Sequence, residues 1–191
     1  MKRCQVYAFL VAPLLFAAGA TFGQTRLSSS EIASSLQGVS QLGLTASGMR
    51  EAAAANIRNN PGQKPLGRPL LFPELEKQAQ FTIEIEFDFN SAAIRPASYR
   101  GVGLMADSLR NPILYGYKFL VIGHTDGVGG REYNLRLSQR RAEAIRNALI
   151  DPFGINPAWL EAVGLGEEQL RDPRHPDSAR NRRVQLINIG K

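Results

Sequence analysis

The segment that most restricts the fold is Phe119-Leu120-Val121-Ile122, four apolar residues leading into a glycine-rich turn. Successive strand residues point to opposite faces, so this run is apolar on both sides and predicts a central strand. Upstream, Phe81, Ile83, Ile85, Phe87 and Phe89 alternate with Thr82, Glu84, Glu86 and Asp88. A period of two marks a strand with one buried face. After a turn at Asn90-Ser91, Pro96 suits the first turn of a helix over residues 96–109, with Val102, Met105 and Leu109 inward. A second helix is predicted over residues 134–150, stopping before Pro152, then strands over 160–165 and 183–189. Strands alternating with helices predict a two-layer α/β sandwich.

The N-terminus reads as an export signal. Lys2 and Arg3 precede an apolar run over residues 6–20, broken only by Pro13 and Gly19, and small residues then allow cleavage after Ala20 or Gly23. The run falls short of the roughly 20 residues that span a bilayer as a helix; an uncleaved anchor is the other reading. Cys4, the single cysteine, precedes the apolar run instead of ending it, so lipid attachment there is not expected. Cleavage would leave no cysteine, hence no intramolecular disulfide, and stability must come from a packed core. Loss of Lys2 and Arg3 would lower the formal charge from +6 to +4.

Residues 24–75 carry weak signals. Ser28 and Glu31 stand in capping-box register for a short helix to Leu36, and the alanines at 52–55 add a turn. Asn59-Asn60-Pro61-Gly62, Pro65, Gly67, Pro69 and Pro73 then oppose regular structure. The expected organisation is a signal peptide (1–23), a linker, partly helical or disordered (24–75), and one folded domain (76–191).

Chemistry concentrates after the central strand. Gly123-His124-Thr125-Asp126-Gly127-Val128-Gly129-Gly130 places a carboxylate, a hydroxyl and main-chain donors where ligands of α/β sheets tend to sit. Along the following helix, Leu137, Arg141 and Ile145 fall on one line, with Arg136, Arg140, Glu143 and Asn147 opposite. Arg141 alone among these arginines points toward the core or a cleft, and a guanidinium there needs a carboxylate. One reading pairs Arg141 with Asp126 structurally. The other is a zwitterion clamp, in which Asp126 receives a ligand ammonium and Arg141 grips its carboxylate.

At these residues the sequence resembles the OmpA-like (OmpA/MotB C-terminal) domain family. Phe87-Asp88-Phe89-Asn90-Ser91 with Ile94 and Pro96 is similar to the family's opening motif. Gly123-His124-Thr125-Asp126, Gly129, Tyr133-Asn134, Leu137-Ser138 and Arg141-Ala142 match its signature stretch, and Gly164-Leu165-Gly166-Glu167 and Asn181-Arg182-Arg183-Val184 its closing segments. The resemblance implies a four-stranded mixed sheet with helices on one face and non-covalent binding to the diaminopimelate of the peptidoglycan stem peptide. It further implies that Asp126 and Arg141 hold the diaminopimelate amino-acid centre, while Asn90, Thr125, Asn134, Leu137 and Arg182 line the groove. Localisation would be the periplasm, at the cell wall and outer membrane. Ahead of the domain the expected family attachments are missing: a β-barrel, a lipoprotein cysteine at the cleavage site, a long apolar helix. The attachment is then either lacking or supplied by a partner, an outer-membrane or envelope protein met through residues 24–75. About 50 flexible residues would reach roughly 40 Å.

Catalysis is not expected. His124 and His175 are the only histidines, no serine sits in a nucleophile elbow, and zinc would need three or four ligands. His124 reads as a turn hydrogen-bonder, and no cofactor or metal is called for. A pI near 9.8 raises nucleic-acid binding, but the export signal and the lack of an aromatic platform oppose it; a solvated basic face drawn toward an anionic wall is the plainer account. Mass spectrometry of the envelope-extracted protein should find Thr21 or Gln24 at the mature N-terminus. Recovery of intact Met1 or Lys2 would support the anchor instead.

Overall fold

Strands β1 (Gln80–Ile83), β2 (Lys118–His124), β3 (Leu160–Gly166) and β4 (Val184–Gly190) form one sheet in the order β1-β4-β2-β3. β2 and β3 are parallel, and β4 runs antiparallel to both β1 and β2, so the sheet is mixed. This is a computed structural model, which describes residues 28–37, 43–64, 68–88 and 90–191. The expected export signal lies outside the described residues, as does Phe89.

Helices α1 (Ser29–Ser35), α2 (Ala46–Asn59), α3 (Tyr99–Leu109) and α4 (Arg131–Ile150) pack around the sheet. α3 and α4 cover one face, where Val102, Met105, Leu109, Ile145 and Leu149 meet Phe119 and Val121 of β2 and Val184 and Leu186 of β4. α3 follows a tight turn at Pro96–Ser98, and α4 begins at Arg131, a turn earlier than its sequence pattern shows, because Gly130 caps it without a side-chain bond. α1 carries the expected capping box between Ser28 and Glu31 and buries Ile32, Ala33 and Leu36 in the same core.

The central strands set how closely α4 can lie. Gly123 and Gly164 are register partners on β2 and β3. A Cβ on Gly123 would meet the Ser138 carbonyl oxygen at 2.4 Å, and one on Gly164 would meet the Gln139 nitrogen at 2.2 Å. Both distances are below any real contact, so the helix backbone rests directly on glycine. At the same point Ser138 Oγ accepts from Gly166 N (2.7 Å), and Gln139 Oε1 accepts from Gly164 N (2.7 Å).

The α/β core is as expected, but its helices are not confined to one face. Leu120, Ile122, Val163, Leu165 and Ile187 project to the other side of the sheet, where Ala46, Met49 and Ala53 of α2 pack on them with Phe72 and Leu75. Much of the expected linker is thus a folded layer. Thr45 caps α2 by accepting from Gly48 N, and Phe72 and Gln169 exchange two bonds of 3.0 Å (Phe72 N to Gln169 Oε1, Gln169 Nε2 to Phe72 O). Residues 43–64 and 68–77 are occupied by this packing and cannot serve as a free tether.

The first strand is shorter than its alternation predicts. β4 begins at Val184, the partner of Ile83, so residues beyond Ile83 have no ladder to join. The inward face persists: Ile85 is buried, and Phe81, Ile83 and Phe87 pack against the main core. Past Ile85 the chain folds back through a bridge between Phe87 and Ile94. Among the described residues no helix is long and apolar enough to cross a membrane.

Gly164→Ala should cost about 1–3 kcal/mol, because the added methyl must push α4 off the sheet. Gly62→Ala, where a Cβ meets nothing within 4 Å, should stay within about 0.5 kcal/mol. Urea melts of both variants compare them, and equal stabilities would contradict the close approach.

Candidate ligand-binding site

The loop between β2 and α4 is shaped mainly by main-chain and amide bonds. Thr125 N donates to Gly166 O (3.0 Å) and Gly127 N to Pro176 O (2.7 Å). Asp126 Oδ1 accepts from Val128 N (3.3 Å), an Asx turn that holds the carboxylate at the loop's edge. From below, Asn134 Nδ2 reaches the carbonyls of Asp126 (3.3 Å) and Val128 (3.1 Å) and Glu167 Oε2 (2.8 Å). Asn134 therefore supports the loop from beneath.

Arg141 is buried, with 9% of the residue exposed, as the helix line predicts. It does not pair with Asp126. Its Nε donates to the Ser91 carbonyl (3.1 Å), and the guanidinium lies 4.7 Å from the centre of the Phe87 ring. Both partners come from the segment that leaves β1, stacking and anchoring the cation without neutralising it. Among the described residues the two terminal nitrogens have no hydrogen-bond partner. Burial lowers the Arg141 pKa below its ordinary value; Tyr133 and Asp126 act the other way, while Arg182 and Arg140 add to the lowering.

Asp126 Oδ2 is instead held by Arg182 Nη1 at 2.8 Å, a pair with the arginine side chain about half exposed. Arg182 leads into β4, so the closing segment reaches across to the loop. Asn90 adopts a left-handed backbone (φ 51°), which asparagine tolerates better than most residues, and its Oδ1 accepts from the Tyr133 hydroxyl. Tyr133, Leu137 and Arg141 follow at four-residue spacing on one face of α4, with Leu137 buried between the two polar groups. Beyond Arg141 the rim continues into a shallow groove lined by Ala92, Ala93, Ile94, Ala144 and Asn147.

Of the residues expected to line the site, Asp126, Arg141, Arg182, Asn90 and Leu137 converge on this rim. Thr125 is buried under the loop, its hydroxyl without a partner among the described residues, and is not exposed on the rim. His124 is also buried, and its ring takes no part in the turn's bonds. Burial, then the charge of Arg183, pushes its pKa well below the usual histidine value, so it is neutral at pH 7. Arg183 itself is pushed down to about 10, mainly by burial, and remains a cation. Spacing gave no sign of two contributors, the Phe87 ring and the Ser91 carbonyl, which lie some 50 positions before Arg141 in the chain. Tyr133 sits inside a recognisable motif, yet its bond to Asn90 is a tertiary fact. No group of three or more histidine, cysteine, aspartate or glutamate side chains suited to a metal ion occurs among the described residues.

The model of the OmpA family matches residues 86–183. The Peptidoglycan-associated lipoprotein of Pseudomonas aeruginosa is 36% identical over 102 residues, 52% of this chain and 58% of that protein. Outer membrane porin F of the same organism is 32% identical over 97 residues, 51% of this chain and 27% of that one. The periplasmic domain of Helicobacter pylori MotB superposes with a TM-score of 0.51 at 20% identity, covering 59% of this chain and 76% of that one, which is a likeness of fold. With the family model spanning half of its length and the loop, α4 and closing segment all inside the match, the chain belongs to the OmpA family.

Proposed function

We propose that this protein binds peptidoglycan without cleaving it, by holding the diaminopimelate centre of the stem peptide between Arg141 and Asp126. One observation carries this: a buried guanidinium fixed by Phe87 and Ser91 whose two terminal nitrogens remain unpaired among the described residues. A fork of two N–H donors matches a carboxylate in bidentate geometry. The Asp126 carboxylate lies on the same rim and would take the ligand ammonium, sharing or displacing Arg182. Arg182 supplies a second positive charge for the outer part of the ligand. The name of the similar Pseudomonas lipoprotein supports a cell-wall ligand. The groups on the rim are fixed charges and hydrogen-bonding partners suited to holding a ligand, and the nearest histidine is buried and neutral. The proposed place of action is the periplasm, at the wall and outer membrane. An envelope partner would meet the outer surface of α2 or the segments before it, since the inner face of α2, with Phe72 and Leu75, is packed on the sheet.

Binding to purified sacculi, with and without free diaminopimelate as competitor, tests this. Arg141→Ala should weaken binding by roughly 1.5–3 kcal/mol, ten- to a hundredfold, for the loss of a charge-assisted bond. Its stability should fall by only about 1–2 kcal/mol, the worth of one hydrogen bond and one cation–π contact. Arg182→Ala removes a half-exposed pair and should cost no more than about 1 kcal/mol of stability. Arg140→Ala, on the exposed face, should bind and melt like wild type. A folded Arg141→Ala that binds sacculi as wild type does would overturn the clamp.

A further inference from the structure

Four charged side chains are packed between the N-terminal segment and the turn after β3: Arg68, Arg131, Glu167 and Glu168, none more than 10% exposed. Arg131 takes both oxygens of Glu168, through Nε at 2.9 Å and Nη2 at 2.6 Å. Arg68 donates from Nη1 to Glu168 Oε1 (3.2 Å) and the Glu167 carbonyl (3.1 Å), and from Nη2 to the Gln63 carbonyl (2.8 Å) and Glu167 Oε1 (3.4 Å). Two cations thus balance two anions. Glu167 is the member that reaches the ligand loop. Its Oε1 faces Arg68, while its Oε2 accepts from Asn134 Nδ2, the same nitrogen that holds the carbonyls of Asp126 and Val128. A buried network of this kind has discrete arrangements, so an orientation set at one end is passed to the other.

We infer that Arg68 is a positioning residue for ligand binding: it orients Glu167, and through Glu167 the Asn134 amide and the Asp126 loop. The N-terminal segment, which lies outside the family match at 86–183, is then part of the binding device although it touches no ligand. This rests on the proposed binding at Asp126 and Arg141. An arginine is needed, because only its planar fork serves two carboxylates and two carbonyls from one side chain.

Arg68→Ala alone strips one cation from a buried neutral set and endangers folding. The paired variant Arg68→Met/Glu167→Gln keeps the set neutral and cuts the relay. Two readouts are taken on the whole protein well below its melting temperature: binding to purified sacculi, and amide hydrogen exchange at Gly127 and Val128 without ligand. The paired variant should melt cooperatively, exchange faster at both amides, and bind about two- to thirtyfold more weakly. Leu36→Ala, which opens a cavity in the core on the other face of the sheet, should leave loop exchange and affinity unchanged. Adding Asn134→Ala to the paired variant should weaken binding no further than Asn134→Ala alone, since the relay runs through that amide. A folded paired variant with wild-type loop exchange and affinity sinks the inference. Because exchange is read without ligand, positioning is decided even if Arg141→Ala binds normally, an outcome that counts against the binding mode alone.

Discussion

Everything in the site is referred to the contact between α4 and the two central strands at Gly123 and Gly164. No side chain separates the helix from the sheet there, and Ser138 and Gln139 bond directly to the amides of Gly166 and Gly164. A packed interior transmits displacements of this size without absorbing them. Asn134 lies one turn before that contact and Arg141 nearly one turn after it. The two residues therefore keep fixed heights above the loop that ends β2, one beneath it and one at its rim.

The site then separates two electrostatic problems. Arg141 gives up water without gaining a carboxylate; the Phe87 ring face and the Ser91 carbonyl offset part of that cost while leaving its charge available. Asp126 is largely covered and is paired with Arg182, whose side chain is about half exposed. An Arg141–Asp126 ion pair would have satisfied both groups at once and left nothing for a ligand. They are held apart on different elements, the loop after β2 and the middle of α4, as the proposed clamp requires.

Part of this was legible in the sequence. The inward position of Arg141 follows from Leu137 and Ile145 on the same helical line, and the loop's chemistry from its one aspartate among glycines. The partner of Arg141 was not legible, because the hairpin closed by the Phe87–Ile94 bridge brings Phe87 and Ser91 to α4 only in the tertiary fold, which no local spacing encodes. The family resemblance implies Thr125 as a groove residue, yet successive residues of a nearly extended segment face opposite ways, and the Thr125 side chain is buried. Helix α2 was hidden for a different reason. Its buried residues are Ala46, Met49, Ala53 and Ile57, two of them alanines, so a sound helical spacing carried little apolar contrast.

The covering of the second face by α2 nevertheless answers a demand already present in Phe119-Leu120-Val121-Ile122. Side chains alternate across a strand, so helices on one face could bury Phe119 and Val121 but would leave Leu120 and Ile122 in water, together with Val163, Leu165 and Ile187 beside them. Five large apolar residues side by side form a patch that a monomeric domain seldom exposes. Some segment had to lie there, and among the described residues α2, Phe72 and Leu75 do. The family match covers residues 86–183 and does not include α2, whereas the hydrophobic requirement reaches to it. Once α2 and Phe72 are seated on that face, Arg68 is carried to within bonding distance of Glu167 and Glu168, so the burial that completes the core also brings the N-terminal segment to the back of the ligand loop.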